Sequence, residues 1–270
     1  MNSPREKEMT YFVDSVLAQK KKEIGSRKKY LSEDDLLRMI KEFPPTFRLL
    51  SSLVNGSHLI AEIKNASPSH GIFFRGTRVE ELAEIYQRNG ATAVSVVTEE
   101  LFFLGCLDDL QRVRTKLFIP ILRKDFIVDP YQILESRYNG ADAVLLITSL
   151  LSPQQLKTLI GLTHELGMDA LVETHTESEI EAALDAGAKI IGINNRDLSS
   201  LKIDLTTALT LLPKIPDSII KVVESGIKKE EDLLIYKDLN VNAFLIGEAL
   251  MTCSSPGLLV KRFRQVMRGT

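Results

Sequence analysis

Glu62 and Lys64 stand two residues apart at the end of the run LIAEIK, which is otherwise apolar. On a strand, residues at that spacing share a face. A buried ion pair loses about as much in desolvation as it gains in attraction, so stability alone gives little reason to place one there. An acid and a base side by side are, by contrast, what proton transfer to and from a reacting molecule requires. Comparable groups recur at the ends of other apolar runs. FIPILR runs into Arg123-Lys124-Asp125, Glu173 lies in ALVET, and Asn194 ends KIIGIN with Arg196 and Asp197 beyond it. Glu224, Ser225 and Gly226 lie in VVESGI, and Gly247 and Glu248 in LIGEAL. A single charged residue at a strand end is more often an ordinary loop residue than a catalyst, and Arg123 and Asp125 are read that way. Glu62, Lys64 and Glu173 fall within or flush with their runs and are the stronger candidates. Two lysines facing one mouth, partly desolvated, could lower each other's pKa and so serve as acids near neutral pH.

The elements that must position these groups follow from periodicity. Eight short apolar runs start at Leu59, Ala93, Phe118, Ala143, Ala170, Lys189, Ile220 and Ala243. Their spacing of about 20 to 35 residues is that of a βα unit. Between them, RVEELAEIYQRNGA, PYQILESRYNGA and ESEIEAALDAGA carry apolar residues at helical spacing and close on Gly90, Gly140 and Gly187. Eight alternating units predict a closed (β/α)₈ barrel over residues 58–270, a TIM barrel in which chemistry sits at the C-terminal strand ends. An open doubly wound sheet also uses continuous apolar strands, but no GxGxxG follows the first run. Residues 1–57 precede the repeat as an N-terminal helical extension of the same single domain, expected to pack over one mouth. Within it Ser32 reads as an N-cap, with Asp35 reaching back as in a capping box. The run Lys20-Lys21-Lys22 reads as a solvated helix face.

Composition narrows the class. The chain has 270 residues, 44% apolar and 26% charged, with a formal net charge of −2. That balance supplies a sizeable core and calls for neither nucleic acid nor an anionic membrane. The polar N-terminus is not a signal peptide, no apolar run approaches a membrane span, and the two isolated cysteines fit a reducing compartment. The expected location is cytoplasmic. His58, His70, His164 and His175 lack metal-ligand spacing, so no metal is expected, and His175 reads as a loop histidine. Glycine-lined amides after the seventh and eighth runs, with Ser67, Ser69 and Gly71 in the first loop, offer a phosphate seat. Phe102, Phe103 and Phe126 fall near the mouth as lid or ring-binding groups. A Schiff-base aldolase or thiazole-synthase type of barrel, with Lys64 or Lys124 as nucleophile, and a non-catalytic scaffold are the competing readings.

In order, IAEIKNASPSHG, TEELFFLG, PILRKDFIVDPYQI, ADAVLLI, LVETHTESE, IGINNRDL, VVESGI and NAFLIGEALM resemble the indole-3-glycerol phosphate synthase family of tryptophan biosynthesis, as does the leading FVDSVLAQKKKEI. The resemblance spans essentially the whole chain. It implies a phosphate-binding barrel without metal or organic cofactor that closes, decarboxylates and dehydrates 1-(2-carboxyphenylamino)-1-deoxyribulose 5-phosphate. Lys124 would then protonate the ketone oxygen, and Lys64 would pair with the substrate carboxylate and serve in dehydration. Glu173 and Glu62 would be the candidate bases. Asn194 would hold a substrate hydroxyl and a catalytic carboxylate, with Glu224 and Ser225 completing the polar wall. Phe103, Phe126 and Leu145 would flank the aromatic ring. Ser67, Gly226, Gly247 and the Glu248 amide would hold phosphate, with Arg196 bracing the site. The partner is a small phosphorylated substrate, and a monomer is expected. Asn65, Ala66 and His70 depart from the family's commoner basic residues in the first loop.

Overall fold

Every second residue of the apolar runs turns inward, and that alternation closes the sheet. In the computed structural model, which describes residues 4–73, 78–197 and 200–268 with side chains from residue 14, eight parallel strands form a closed barrel. They are β1 (His58–Ile63), β2 (Ala93–Val97), β3 (Ile121–Lys124), β4 (Ala143–Ile147), β5 (Asp169–Thr174), β6 (Ile190–Asn194), β7 (Ile220–Glu224) and β8 (Ala243–Ile246). β1 pairs with both β8 and β2, which leaves no open edge. Ile60, Leu122, Leu145, Leu171, Val222 and Leu245 fill the interior. Their neighbours Ala61, Val94, Val144, Val172, Ile191 and Val223 face the surrounding helices. A barrel of this size is a packed core rather than a pore, so the polar groups are displaced to the strand ends.

The expected helices are present: α4 (Val79–Arg88), α6 (Pro130–Tyr138) and α8 (Glu177–Asp185) each stop just before a left-handed glycine, at Gly90, Gly140 and Gly187. α6 begins on a capping box in which Asp129 accepts from the Tyr131 amide at 2.8 Å and Gln132 accepts from the Asp129 amide at 3.2 Å. This fixes the chain leaving β3 directly after Lys124 and Asp125.

The extension contains α1 (Pro4–Tyr30), α2 (Glu33–Ile40) and α3 (Leu49–Ser52). It does more than cover one mouth. α1 docks at the C-terminal rim, where Lys20 pairs with Asp125 at 2.9 Å and Arg27 with Glu135 at 3.1 Å. The segment around α3 crosses the opposite end. There Arg48 and the Leu50 amide bind Asp169, and the Phe47 amide binds Asp142. Leu49 and Leu53 plug that end of the barrel interior. The lysine run also divides: Lys21 and Lys22 are exposed, but Lys20 is 1% exposed and held by Glu23 and Asp125. Helical geometry explains the division, since consecutive residues point in directions about 100° apart. Ser32 caps α2 by accepting from the Asp35 amide, while the Asp35 carboxylate takes the Ser32 hydroxyl at 2.6 Å rather than a backbone group.

Candidate active site

The inward-facing strand ends gather five charged groups at the C-terminal mouth. Glu62 on β1 is buried and accepts from Lys64 at 2.7 Å. Lys124, ending β3, lies 3.5 Å from Glu62 and 3.5 Å from Glu224 on β7. Glu173 on β5 accepts from the side-chain amide of Asn194 on β6 at 3.0 Å. The five charged groups come from four strands and Asn194 adds a fifth, the usual construction of a barrel site.

Two glycines make the arrangement possible. A Cβ at Gly192 would overlap the Glu224 carboxylate, and one at Gly247 would overlap the Glu62 carboxylate. Both carboxylates therefore lie against bare backbone on the neighbouring strand.

The electrostatics are asymmetric. Burial alone would raise the Glu62 pKa, but the ammonium groups of Lys64 and Lys124 outweigh it and hold the carboxyl down to about 2. Burial would lower that of Lys124, and Glu62, Glu224 and Glu173 together raise it instead. For Lys124 this is the reverse of the expected acidification, because three carboxyl groups surround its ammonium. Glu224 is fully buried, and neither carboxylate oxygen makes a hydrogen bond among the described residues. Burial and the nearby Glu173 push it up to about 8, against the pull of Lys124.

A pocket above these charges is lined by Glu62, Lys64, Lys124, Glu173, Asn194 and Ser225. Phe103, Phe126 and Leu145 supply its apolar wall. Ser67, Arg196, Gly226, Gly247 and Glu248 line it as well. Glu224 is not on the wall; it lies beneath Lys124. In the glycine-lined corner, Ser225 and Gly226 are consecutive residues with positive φ, 65° and 89°, so the chain turns sharply after β7. A Cβ on Gly226 would meet the side chains of Ile203 and Leu205. Gly247 precedes α11 (Glu248–Thr252), whose first amides are unpaired by helix geometry. Arg196 braces the corner, reaching Ser69 and Glu248 at 3.3 Å each and the Leu201 carbonyl at 3.0 Å. His70 stacks on Phe73, ring centroids 4.4 Å apart, and its amide donates to Ser67 at 3.2 Å.

Three groups escaped the sequence reading. Arg123, on β3, and Asp125, just past its end, are not ordinary loop residues: both are buried, paired at 2.9 Å, and joined to Lys20, Thr98 and Glu135. Their signal was the strand alternation itself, which sends Arg123 outward where Lys124 points in. Glu99, directly after β2, accepts from the amides of Leu101, Phe102 and Phe103 at 2.7–2.9 Å and so anchors the loop that carries Phe103. His175 is not a solvated loop histidine. Its Nε2 lies 3.4 Å from Glu173 and its Nδ1 3.3 Å from Glu179. The i, i+4 spacing of His175 and Glu179 was the available clue. Among the described residues no His, Cys, Asp and Glu cluster is arranged for a metal ion, and no helix is long and apolar enough to cross a membrane.

Comparison with known proteins bears on the fold and the family. The chain is similar in fold to KGPDC from Streptococcus mutans, with a TM-score of 0.63 at 13% identity over 80% of this chain and 99% of that one. It is also similar to the tryptophan synthase alpha subunit of Legionella pneumophila, with a TM-score of 0.58 at 12% identity over 87% of this chain and 98% of that one. At such identities the likeness is one of fold. Sequence goes further. Indole-3-glycerol phosphate synthase of Dehalococcoides mccartyi is 50% identical over 211 residues, 77% of this chain and 82% of the relative. That of Mycolicibacterium smegmatis is 43% identical over 245 residues, 90% of each chain. The family model described as indole-3-glycerol phosphate synthase matches residues 13–263, and the chain belongs to that family.

Proposed function

We propose that the chain converts 1-(2-carboxyphenylamino)-1-deoxyribulose 5-phosphate to indole-3-glycerol phosphate, carbon dioxide and water, with the mouth residues in the following roles. The observation that carries the assignment is the pair of ammonium groups, Lys64 and Lys124, held on one buried carboxylate, Glu62, between an apolar wall and a corner of glycine amides. A substrate with an aromatic carboxylate at one end and a phosphate at the other matches those three surfaces.

In this reading the aromatic ring packs among Phe103, Phe126 and Leu145, and its carboxylate pairs with Lys64. The phosphate sits on Ser67, Gly226, Gly247 and the Glu248 amide. The ring carbon bearing the carboxylate attacks the ketone carbon, and Lys124 gives a proton to the ketone oxygen as charge builds there. A lysine held cationic by Glu62 and Glu224 is fully loaded with that proton. It releases the proton only to an oxygen as basic as a developing alkoxide, so donation is tied to bond formation. Carbon dioxide then leaves, and its bonding electrons restore the aromatic ring. In the dehydration, Glu173 takes a proton from the new ring's methylene carbon while Lys64 protonates the departing hydroxyl. Asn194 orients both Glu173 and a substrate hydroxyl, and Ser225 closes the polar wall. Glu62, held near pKa 2, is too weak a base for that step and serves to orient the two lysines.

A lysine raised in pKa is a poor amine nucleophile, which counts against Lys124 as the Schiff-base residue. The direct test is to supply the ribulose phosphate substrate and follow indole fluorescence. A folded protein that yields none refutes the assignment. Borohydride trapping of substrate on Lys64 or Lys124 would favour the Schiff-base alternative.

A further inference from the structure

We infer that His175 is a positioning residue for Glu173, an imidazolium that bridges this carboxylate to Glu179 and fixes it for proton abstraction. The inference rests on the reading of Glu173 as the base.

The geometry begins at the start of α8. Thr176 caps that helix by accepting from the Glu179 amide at 3.3 Å. Glu179 folds back, and one of its oxygens accepts from the His175 amide at 2.7 Å and from His175 Nδ1 at 3.3 Å. A carboxylate oxygen only accepts, so Nδ1 carries the hydrogen. The ring is thereby fixed with Nε2 facing Glu173 at 3.4 Å, and this nitrogen is buried with no hydrogen-bond partner among the described residues. If neutral, Nε2 would present a lone pair to the Glu173 carboxylate. As an imidazolium it presents a proton to the same oxygen that accepts from Asn194. Glu173 is then held from two directions, by Asn194 on β6 and by His175 beyond the end of its own strand.

Side-chain exposure falls along the chain of contacts, from 20% at Glu179 through 11% at His175 to 2% at Glu173. Water therefore screens the inner pair least. The titratable groups facing the imidazole are Glu173 on β5, Glu179 on α8 and Glu224 on β7. All three are carboxyl groups. Burial of the ring opposes its protonation, but their combined effect raises its pKa above the ordinary 6.5. The positioning charge is present below that raised pKa and is lost as pH rises through it. Turnover should fall over the same range.

Two measurements test this. The chain has four histidines, so imidazole proton resonances can be assigned by single substitutions and titrated. His175 should titrate above 6.5, and Glu179→Gln should move its midpoint down. In kinetics, His175→Gln should lower kcat by about 10- to 100-fold, the scale on which orienting partners act. Its KM should change less than about twofold, and the alkaline fall in kcat should disappear. An ordinary midpoint indifferent to Glu179→Gln would overturn the inference. So would a His175→Gln enzyme that keeps the wild-type kcat and pH profile. Glu173→Gln separates the two levels: retained activity there refutes Glu173 as the base, whereas lost activity there beside a normal His175→Gln refutes only the positioning role.

Discussion

Arg123 and Lys124 are adjacent cations on one strand, and they face opposite worlds. Arg123 points outward into the layer between β3 and α6. Its guanidinium reaches Thr98 at 3.1 Å, Asp125 at 2.9 Å, Glu135 at 3.0 Å and Ser136 at 3.1 Å. Asp125 is equally well served, by Arg123, Lys20, Thr98 and the Phe126 amide. Lys124 points inward, and its carboxylates stand at 3.5 Å, at the long end of ion-pair contact. Beneath it the Glu224 carboxyl group makes no hydrogen bond among the described residues. Both clusters bury charge. One satisfies its members with each other, and the other leaves hydrogen-bonding capacity unused. The contrast separates a structural use of buried charge from a chemical one, without reference to residue type.

The largest effect should come from breaking the unsatisfied side. Lys124→Ala should lower kcat by about 10²- to 10⁴-fold, the range for a general acid, with the circular dichroism spectrum unchanged. Near-normal turnover would remove Lys124 from the mechanism. Breaking the satisfied side should do the reverse. Arg123→Met leaves Asp125 and Glu135 short of a buried partner, which should reduce unfolding free energy by about 3–5 kcal/mol in denaturant titration. Its folded fraction should still turn over. Should Arg123→Met instead abolish turnover without loss of stability, the division drawn between the two faces would be mistaken.

Glu224 allows the comparison to be sharpened by pH. Its folded pKa of about 8 lies above the ordinary 4.5. The neutral carboxyl is accommodated in full below pH 4.5, and stability is lost as pH rises from there to about 8. Glu224→Gln should therefore raise the melting temperature more at pH 9 than at pH 4, and flatten the profile between. Glu62 has the opposite sign: depressed to about 2, it contributes stability above pH 4.5 that disappears as pH falls towards 2. Calorimetry across pH 3–9 would show both, and a parallel response of wild type and Glu224→Gln would contradict the assignment. The smallest effect belongs to Lys21→Met, expected within about 0.5 kcal/mol of wild type as for other exposed sites. The same change at Lys20 should behave like Arg123→Met, since it strips a cation from Asp125. Equal effects at the two lysines would mean that Lys20 is not buried as described.

Much of this was legible in the sequence, for a definite reason. A barrel strand is buried on one side by the core and on the other by helices, so it reads as a short apolar run, and any charge within it stands out. Glu62, Lys64 and Glu173 were found that way, and the glycines at 90, 140 and 187 marked the helix stops. What escaped was long-range. Nothing local in Lys20-Lys21-Lys22 says that one lysine meets Asp125 more than a hundred residues away. The pKa of Lys124 was expected in the wrong direction because its cationic neighbour was visible in sequence, while the number of converging carboxylates depends on barrel closure. His175 was passed over because its orientation depends on the Glu179 side chain folding back from α8.

The extension has a consequence for how the molecule comes into being. Its anchors are Asp125, Glu135, Asp142 and Asp169, about 95 to 121 residues downstream of the groups that bind them. Contacts of such separation form late, because the intervening chain must first be ordered. On a ribosome, α1 has its partners only once α6 has been made, and the segment around α3 must wait further, for Asp169 on β5. The extension is thus fastened in two stages, first as a clasp on the β3 strand end when three strands have been made, and then as a plug in the opposite end when five have.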